Sequence, residues 1–283
     1  MSLIKRILKQ VDHLPGVPAV LQQVLSLVND PEFSFEELVE VVRVDPGITA
    51  HVLKVCNSPY YGLTRKVSSL QQAMTYLGVN KVVDIILTSE VVSYYKNDQT
   101  GYRLKGGELW RHSVAVALLA QEMGKQYGYK DLSTLFTAGL LHDVGKLILS
   151  EFVEEEFKEI LRLVKEEGMS FPEAERKVLG VDHALLGAKV VRSWNFPEPI
   201  IRAIAYHHDF SQTNKDRKLV ALVNLANLVV LSMGIGGGAQ GLAVRMPQAL
   251  MDELGLKARD LDDHLLAVKD IGEKAEELLS MAN

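Results

Sequence analysis

A single cysteine, Cys56, stands in 283 residues. That scarcity excludes an intrachain disulfide framework and points to a reducing, cytoplasmic compartment. Runs of one charge sign are also missing. The 31 basic and 36 acidic residues leave a formal charge of −5, and no basic stripe interleaves with aromatics, so nucleic acid is not an expected partner. The opening "MSLIKRILKQVDHLPG" holds an apolar run too short and interrupted for a signal peptide. The longest nearly uncharged stretch, Leu219 to Gly241, includes Asn224, Asn227 and five glycines. It reads as a buried helix followed by a turn, so no membrane span is expected. No segment keeps up the two-residue alternation that a half-buried strand requires. What remains is a chain with 47% hydrophobic residues, enough for a sizeable core, and an all-α fold is the expectation.

Helix punctuation is abundant. Ser34 with Glu37, Ser68 with Gln71 and Ser170 with Glu173 have capping-box spacing, and Asp45-Pro46 pairs a capping carboxylate with a proline suited to the first turn. Together with apolar periodicity these signals predict helices over 19–29, 34–44, 46–57, 68–77, 79–95, 107–127, 132–150, 151–167, 171–180, 183–194, 198–208, 216–233 and 259–281. Two segments read as joints: the polar "KNDQTGYRLKGGE", 96–108, and the glycine-rich "GIGGGAQG", 234–241. They divide the chain into an N-terminal helical lobe, 1–105, a second helical lobe, 106–233, and a turn with a helical tail, 234–283.

Five of the eight histidines invite a chemical reading. His112 shares a helical face with Ala115, Val116, Leu119 and Met123, and His142 with Leu135, Ala138, Gly145 and Leu149, so both point inward. A neutral imidazole has one lone pair, and an apolar surrounding discourages its protonation, which frees a nitrogen for a metal. Asp143 adds a hard oxygen beside His142. Such a mixed shell suits Fe, Mn, Zn or Mg better than a thiolate-seeking ion. Gly145 admits a close neighbour, and Lys146, one turn after His142, can offset phosphate charge. His183 and the doublet His207-His208 offer further imidazoles. Against this stands the plain alternative that each histidine is a hydrogen-bonded core residue, or, for the doublet, a partner of a helix C-terminus. His13, His51 and His264 lack sequence partners and read as ordinary side chains.

The runs "RHSVAVALLAQEMG", "AGLLHDVGKLIL", "DHALLGAKVVRSWNFP" and "IAYHHD" resemble the HD superfamily of metal-dependent phosphohydrolases. Upstream, "LPGVPAVLQQVLSLVNDPEFSFEELVEVVRVDPGITAHVLKVCNSPYYG" and "VSSLQQAMTYLGVNKV" closely resemble the opening lobe of the HDOD family, an offshoot of HD proteins. The resemblance covers most of 14–230. It implies an HD-like helical bundle with an added N-terminal lobe. By the same resemblance His112 is the first metal ligand, His142-Asp143 the central doublet, and His183, His207 and His208 the additional ligands of HD-GYP-like relatives. Lys146 matches their phosphate-side lysine, so Lys146 and Asp143 are the residues any catalysis would use. Asn227 stands where a closing metal-binding aspartate is expected, and an amide is the weaker, neutral ligand. No "GYP" follows His208-Asp209. The resemblance therefore implies a bacterial signalling module acting through a partner protein or a nucleotide ligand, with a divalent metal in an altered HD site. The alternative is a surviving metal-dependent phosphohydrolase acting on a nucleotide or another phosphoester.

Overall fold

A computed structural model describes residues 7, 19–28, 30, 32–64, 66–95, 98, 100–154, 156–236 and 246–282. Among these residues there are fifteen α-helices and no β-strand, so the chain is all-α. Its contacts divide it into two units, Tyr95–Glu273 with Met1–Leu14, and Pro15–Tyr94 with Lys274–Asn283.

In the second of these units, α1 (Ala19–Val28), α2 (Phe35–Arg43), α3 (Pro46–Cys56), α4 (Leu70–Leu77) and α5 (Val79–Tyr95) follow one another closely. Helix α2 starts as its spacing requires: Ser34 Oγ accepts from the Glu37 amide at 3.2 Å, and the Glu37 carboxylate accepts from the Ser34 amide at 2.8 Å. Asp45 caps α3 through the amides of Gly47 and Ile48. At α4 the cap is Ser69, which accepts from Gln72, one residue later than the Ser68–Gln71 spacing suggests. Ser68 instead gives its amide to the Gln72 side chain. The turn after α3 is tied by Asn57, whose amide group bonds both Leu53 and Val67. Leu38, Val42, Val52, Cys56, Ala73 and Val82 are fully buried.

The larger unit carries α6 (Glu108–Gln126), α7 (Leu132–Leu141), α8 (Gly145–Val153), α9 (Phe157–Glu166), α10 (Phe171–Leu179), α11 (His183–Ser193), α12 (Glu198–Tyr206), α13 (Arg217–Ser232) and α14 (Gln248–Leu254). A last helix, α15, runs over Ala258–Ala282. Helix α6 packs on α7 and α13, and α11 packs on α8 and α12. The stretch predicted as one helix over 132–150 breaks at His142–Val144. The cause is local tightening: the amides of Val144 and Lys146 bond carbonyls three residues back, those of Leu141 and Asp143. The apolar run Leu132–Ser150 is long enough by composition to cross a membrane, yet 83% of it is buried inside the fold.

Several further details complete the fold. In the polar segment expected as a joint, 100–108, Tyr102 and Leu104 are buried, because Gly101 admits the Ser150 backbone and the turn Thr100–Tyr102 lies against α8; Lys96, Asn97 and Gln99 lie outside the described residues. In the glycine-rich segment, Gly234–Gly236 seat against α6, where a side chain at Gly236 would collide with the Glu108 carbonyl; residues 237–245 lie outside the described residues. Helix α14 was not anticipated, and His264, read as an ordinary side chain, meets the Tyr127 hydroxyl at 2.9 Å.

Candidate metal centre

Helix ends and close helix contacts deliver the site. His112 lies on α6, one turn into the helix. His142 and Asp143 occupy the tightened turn between α7 and α8, His183 begins α11, and His207-His208 end α12. Two glycines allow the approach. A Cβ on Gly139 would come within 2.7 Å of the Ala117 Cα, so glycine is what lets α7 sit against α6. A Cβ on Gly145 would run into the His183 carbonyl and the Gly187 amide, so α8 and α11 meet backbone to backbone. Gly145 thus admits the neighbouring helix.

Four of the five imidazoles are held by their Nδ1 side. His112 Nδ1–H donates to the Ile235 carbonyl at 2.9 Å, His142 Nδ1–H to Gly139 at 2.7 Å and His207 Nδ1–H to Ile204 at 2.7 Å. Carbonyls accept only, so these bonds assign the tautomer and aim three Nε2 lone pairs inward. His183 Nδ1 lies 2.5 Å from the Glu175 carboxylate, which assigns the same tautomer there.

The inward atoms form two groups, His112 with His142 and Asp143, and His183 with His207 and His208; within each, the ligand atoms lie within 4.8 Å of one another. Asp143, of the first group, also faces two histidines of the second. Its Oδ2 is 3.5 Å from His112 Nε2 and 3.3 Å from His142 Nε2, while its Oδ1 is 3.4 Å from His183 Nε2 and 3.8 Å from His207 Nε2. Asn227, on α13, sets its Oδ1 3.1 Å from His112 Nε2. All seven residues expected at the site therefore converge, with Lys146 beside them.

Do these side chains fit a metal? The polar atoms answer. His142 Nε2, His207 Nε2 and Asp143 Oδ1 are buried without a hydrogen-bond partner, a costly state that a cation would relieve. An oxygen of Asn227 also faces the Nε2 lone pair of His112 at 3.1 Å. Acceptor against acceptor is the disposition of ligands around an ion. The donor set fits a divalent cation.

Electrostatics agree. Burial drives the His112 imidazole down to about 3, past the opposing pull of Asp143. Burial also pushes His207 and His208 well below the ordinary histidine range. These rings are held neutral, as metal ligands must be. Burial alone would raise the Asp143 carboxyl, but its contacts with His142 and the Lys146 ammonium outweigh it and hold the group well below the usual range. Lys146 Nζ is 2.5 Å from Asp143 Oδ2 and 1% exposed, so it is paired with the Asp143 carboxylate.

Three residues at the site had no assigned role in the sequence. Glu175 accepts from the His183 ring and backbone, Tyr102 donates to Glu175 at 2.6 Å, and the Asn224 amide donates to the His207 carbonyl. Glu175 shares the buried stripe of α10 with Phe171, Ala174 and Leu179. A carboxylate on an apolar face was the available signal. Asn224, one turn before Asn227 on an otherwise apolar helix, was another; Tyr102 sat in a polar segment and offered none.

The HDOD domain profile matches residues 14–210, more than half of the chain. The chain belongs to the HDOD family. The match stops before α13, so Asn224 and Asn227 lie beyond it. An HDOD domain protein of unknown function from Geobacter sulfurreducens is 27% identical, with a TM-score of 0.76 over 99% of this chain and 96% of that one. A protein provisionally described as a phosphohydrolase, from Shewanella amazonensis SB2B, is 22% identical with a TM-score of 0.74 over 98% of each chain, and shares the fold. Among curated relatives, an uncharacterized protein of Treponema pallidum is 21% identical over 81% of this chain, and a ribonuclease Y of Lawsonia intracellularis 24% identical over 79%. The HDOD chain spans 44% and 35% of the length of those two relatives. Family and fold thus make it an HDOD chain, and its His/Asp groups could hold a metal.

Proposed function

We propose that this HDOD chain is a bacterial regulatory module in which two divalent cations, shared through Asp143, hold the helical unit in the form that a signalling protein recognises. His112, His142 and Asn227 would hold one ion, and His183, His207 and His208 the other. Five imidazoles favour Fe, Mn or Zn over Mg, which prefers an all-oxygen shell. The observation that carries the reading is the burial of the centre: His112, His142, Asp143, His183 and His207 are each 0–1% exposed. A phosphoester must reach the metal to be hydrolysed, whereas an ion that stabilises a fold needs no such access. The neutral Asn227 supports the same reading, since a hydrolytic centre gains from a further anionic ligand.

A second reading, a metal-dependent phosphohydrolase, is favoured by one feature. His208 is partly exposed and lines a cavity of about 400 Å³, with Arg176, Tyr206 and Gln212 also on its wall. Bound there, the ions would lower the pKa of a water and polarise a phosphoryl oxygen of a nucleotide or another phosphoester.

Metal analysis of the purified chain, with a phosphodiesterase and nucleotidase screen of wild type and His142→Ala, separates the two. The regulatory reading expects metal that His142→Ala loses, with no phosphoester turnover. Robust turnover that depends on His142 would overturn it in favour of hydrolysis.

A further inference from the structure

Among the four histidines of the centre whose Nδ1 partners are described, His183 alone is held by a charged group. The other three imidazoles with resolved Nδ1 partners use backbone carbonyls, of Ile235, Gly139 and Ile204. At His183 the partner is Glu175, eight residues earlier on α10. Its Oε2 takes both the ring Nδ1–H at 2.5 Å and the backbone amide at 3.0 Å, and its Oε1 takes the Tyr102 hydroxyl at 2.6 Å. Glu175 is 0% exposed, His183 0% and Tyr102 3%. A buried carboxylate is costly unless every lone pair finds a donor, and here three donors converge on one. Tyr102 comes from a turn 73 residues away in sequence, so tertiary packing alone assembles the chain Tyr102–Glu175–His183. The His183 backbone is meanwhile pinned from the other side, where Gly145 meets its carbonyl.

We propose that Glu175 and Tyr102 are positioning residues of the metal centre. Glu175 fixes His183 with its proton on Nδ1 and its Nε2 toward the ion shared with His207 and His208, and its charge makes that nitrogen a stronger donor. Tyr102 holds the Glu175 carboxylate in the orientation that does this. An imidazole backed by a carboxylate is more basic and less free to rotate than one backed by a carbonyl. The two halves of the centre therefore differ: the half built on His183 has an anionic support, and the half built on His112 and Asn227 has a neutral one. The first should bind its ion more tightly. This inference rests on the two-ion reading above.

The simpler role for Glu175 is to cap α11, since it accepts the His183 amide at the first helical position. Glu175→Gln separates the roles. Its side-chain oxygen still accepts the amide hydrogen, while the charge behind the ring is gone. Titration of the chelator-stripped full chain with Mn²⁺ by calorimetry, and with Co²⁺ by visible absorption, reads the result. For Glu175→Gln the tighter of two ions should weaken roughly 10–100-fold, the usual scale for loss of an outer ligand partner, with the weaker ion unmoved and the cobalt absorption bands shifted. Tyr102→Phe, which removes only an oxygen, should weaken the same ion by a smaller factor. Wild-type affinity for both ions in both variants, or an equal weakening of the two ions, overturns the assignment and leaves the centre itself standing. A wild-type chain that binds neither Mn²⁺ nor Co²⁺ removes the two-ion reading, and the inference with it.

Discussion

At the scale of single residues, one amide and one buried ring set the behaviour of the centre. Asn227 faces His112 Nε2 at 3.1 Å, so Asn227→Asp introduces a carboxylate beside the nitrogen proposed to hold an ion. Charge on the ligands tunes cation affinity, and the substitution should tighten Mn²⁺ binding on the order of tenfold by calorimetry; unchanged or weaker binding would show that Asn227 does not face the ion. His112 yields a pH dependence. Its pKa falls from 6.5 to about 3 on burial, so below 6.5 the unfolded chain takes up a proton that the folded chain refuses. Stability is then lost as pH drops from about 6.5 toward 3, and is insensitive to this group above that window. For metal-free protein, His112 alone should cost roughly 2 kcal/mol between pH 7 and pH 5. Urea unfolding at both values, compared with His112→Asn, reads the difference, and an identical slope in the two proteins would remove the assignment. His112, His142 and Asp143 were legible at this scale because apolar periodicity and the His-Asp adjacency both survive in one dimension. Glu175 and Tyr102 were not, since a hydrogen bond across 73 residues leaves no spacing to read.

Among the elements, most helices stand where capping boxes and periodicity place them, because those signals act within a turn or two of chain. The predicted helix over 132–150 fails at His142–Val144, where the chain trades regular bonds for tight ones and so turns two adjacent side chains onto one centre. Periodicity cannot register such a break, because the flanking residues are buried on both sides of it. The contact that exploits the break is Gly145 against His183 and Gly187. Gly145→Ala forces α8 and α11 apart, an overpacking worth about 1–3 kcal/mol. Its metal affinity should fall as well, because Asp143 and His183 move with those two helices. Full metal affinity together with reduced stability would mean that the α8–α11 contact does not set the centre.

For the whole molecule, the seven proposed ligand positions all belong to the unit Tyr95–Glu273, and none to Pro15–Tyr94. An ion that binds only the folded unit stabilises it by mass action, about 2.7 kcal/mol at a hundred times its dissociation constant. Adding Mn²⁺ should therefore raise the thermal midpoint of the full chain, with chelator reversing the shift, and hydrogen exchange should slow in α6, α7 and α11–α13 and stay unchanged in α1–α4. Equal slowing throughout would argue for coupling that local ligation does not explain. By itself the sequence determined the all-helical class, the helix starts, and which histidines face inward, since each of these follows from interactions among residues a few positions apart. Only the tertiary structure decided that Asp143 lies between two groups of imidazoles, that Asn227 closes on His112, and that Glu175 and Tyr102 stand behind His183. Those contacts depend on how closely whole helices pack, and that distance is set by backbone approaches at Gly139, Gly145 and Gly187, of which the sequence marked only Gly145 and could not name its neighbour.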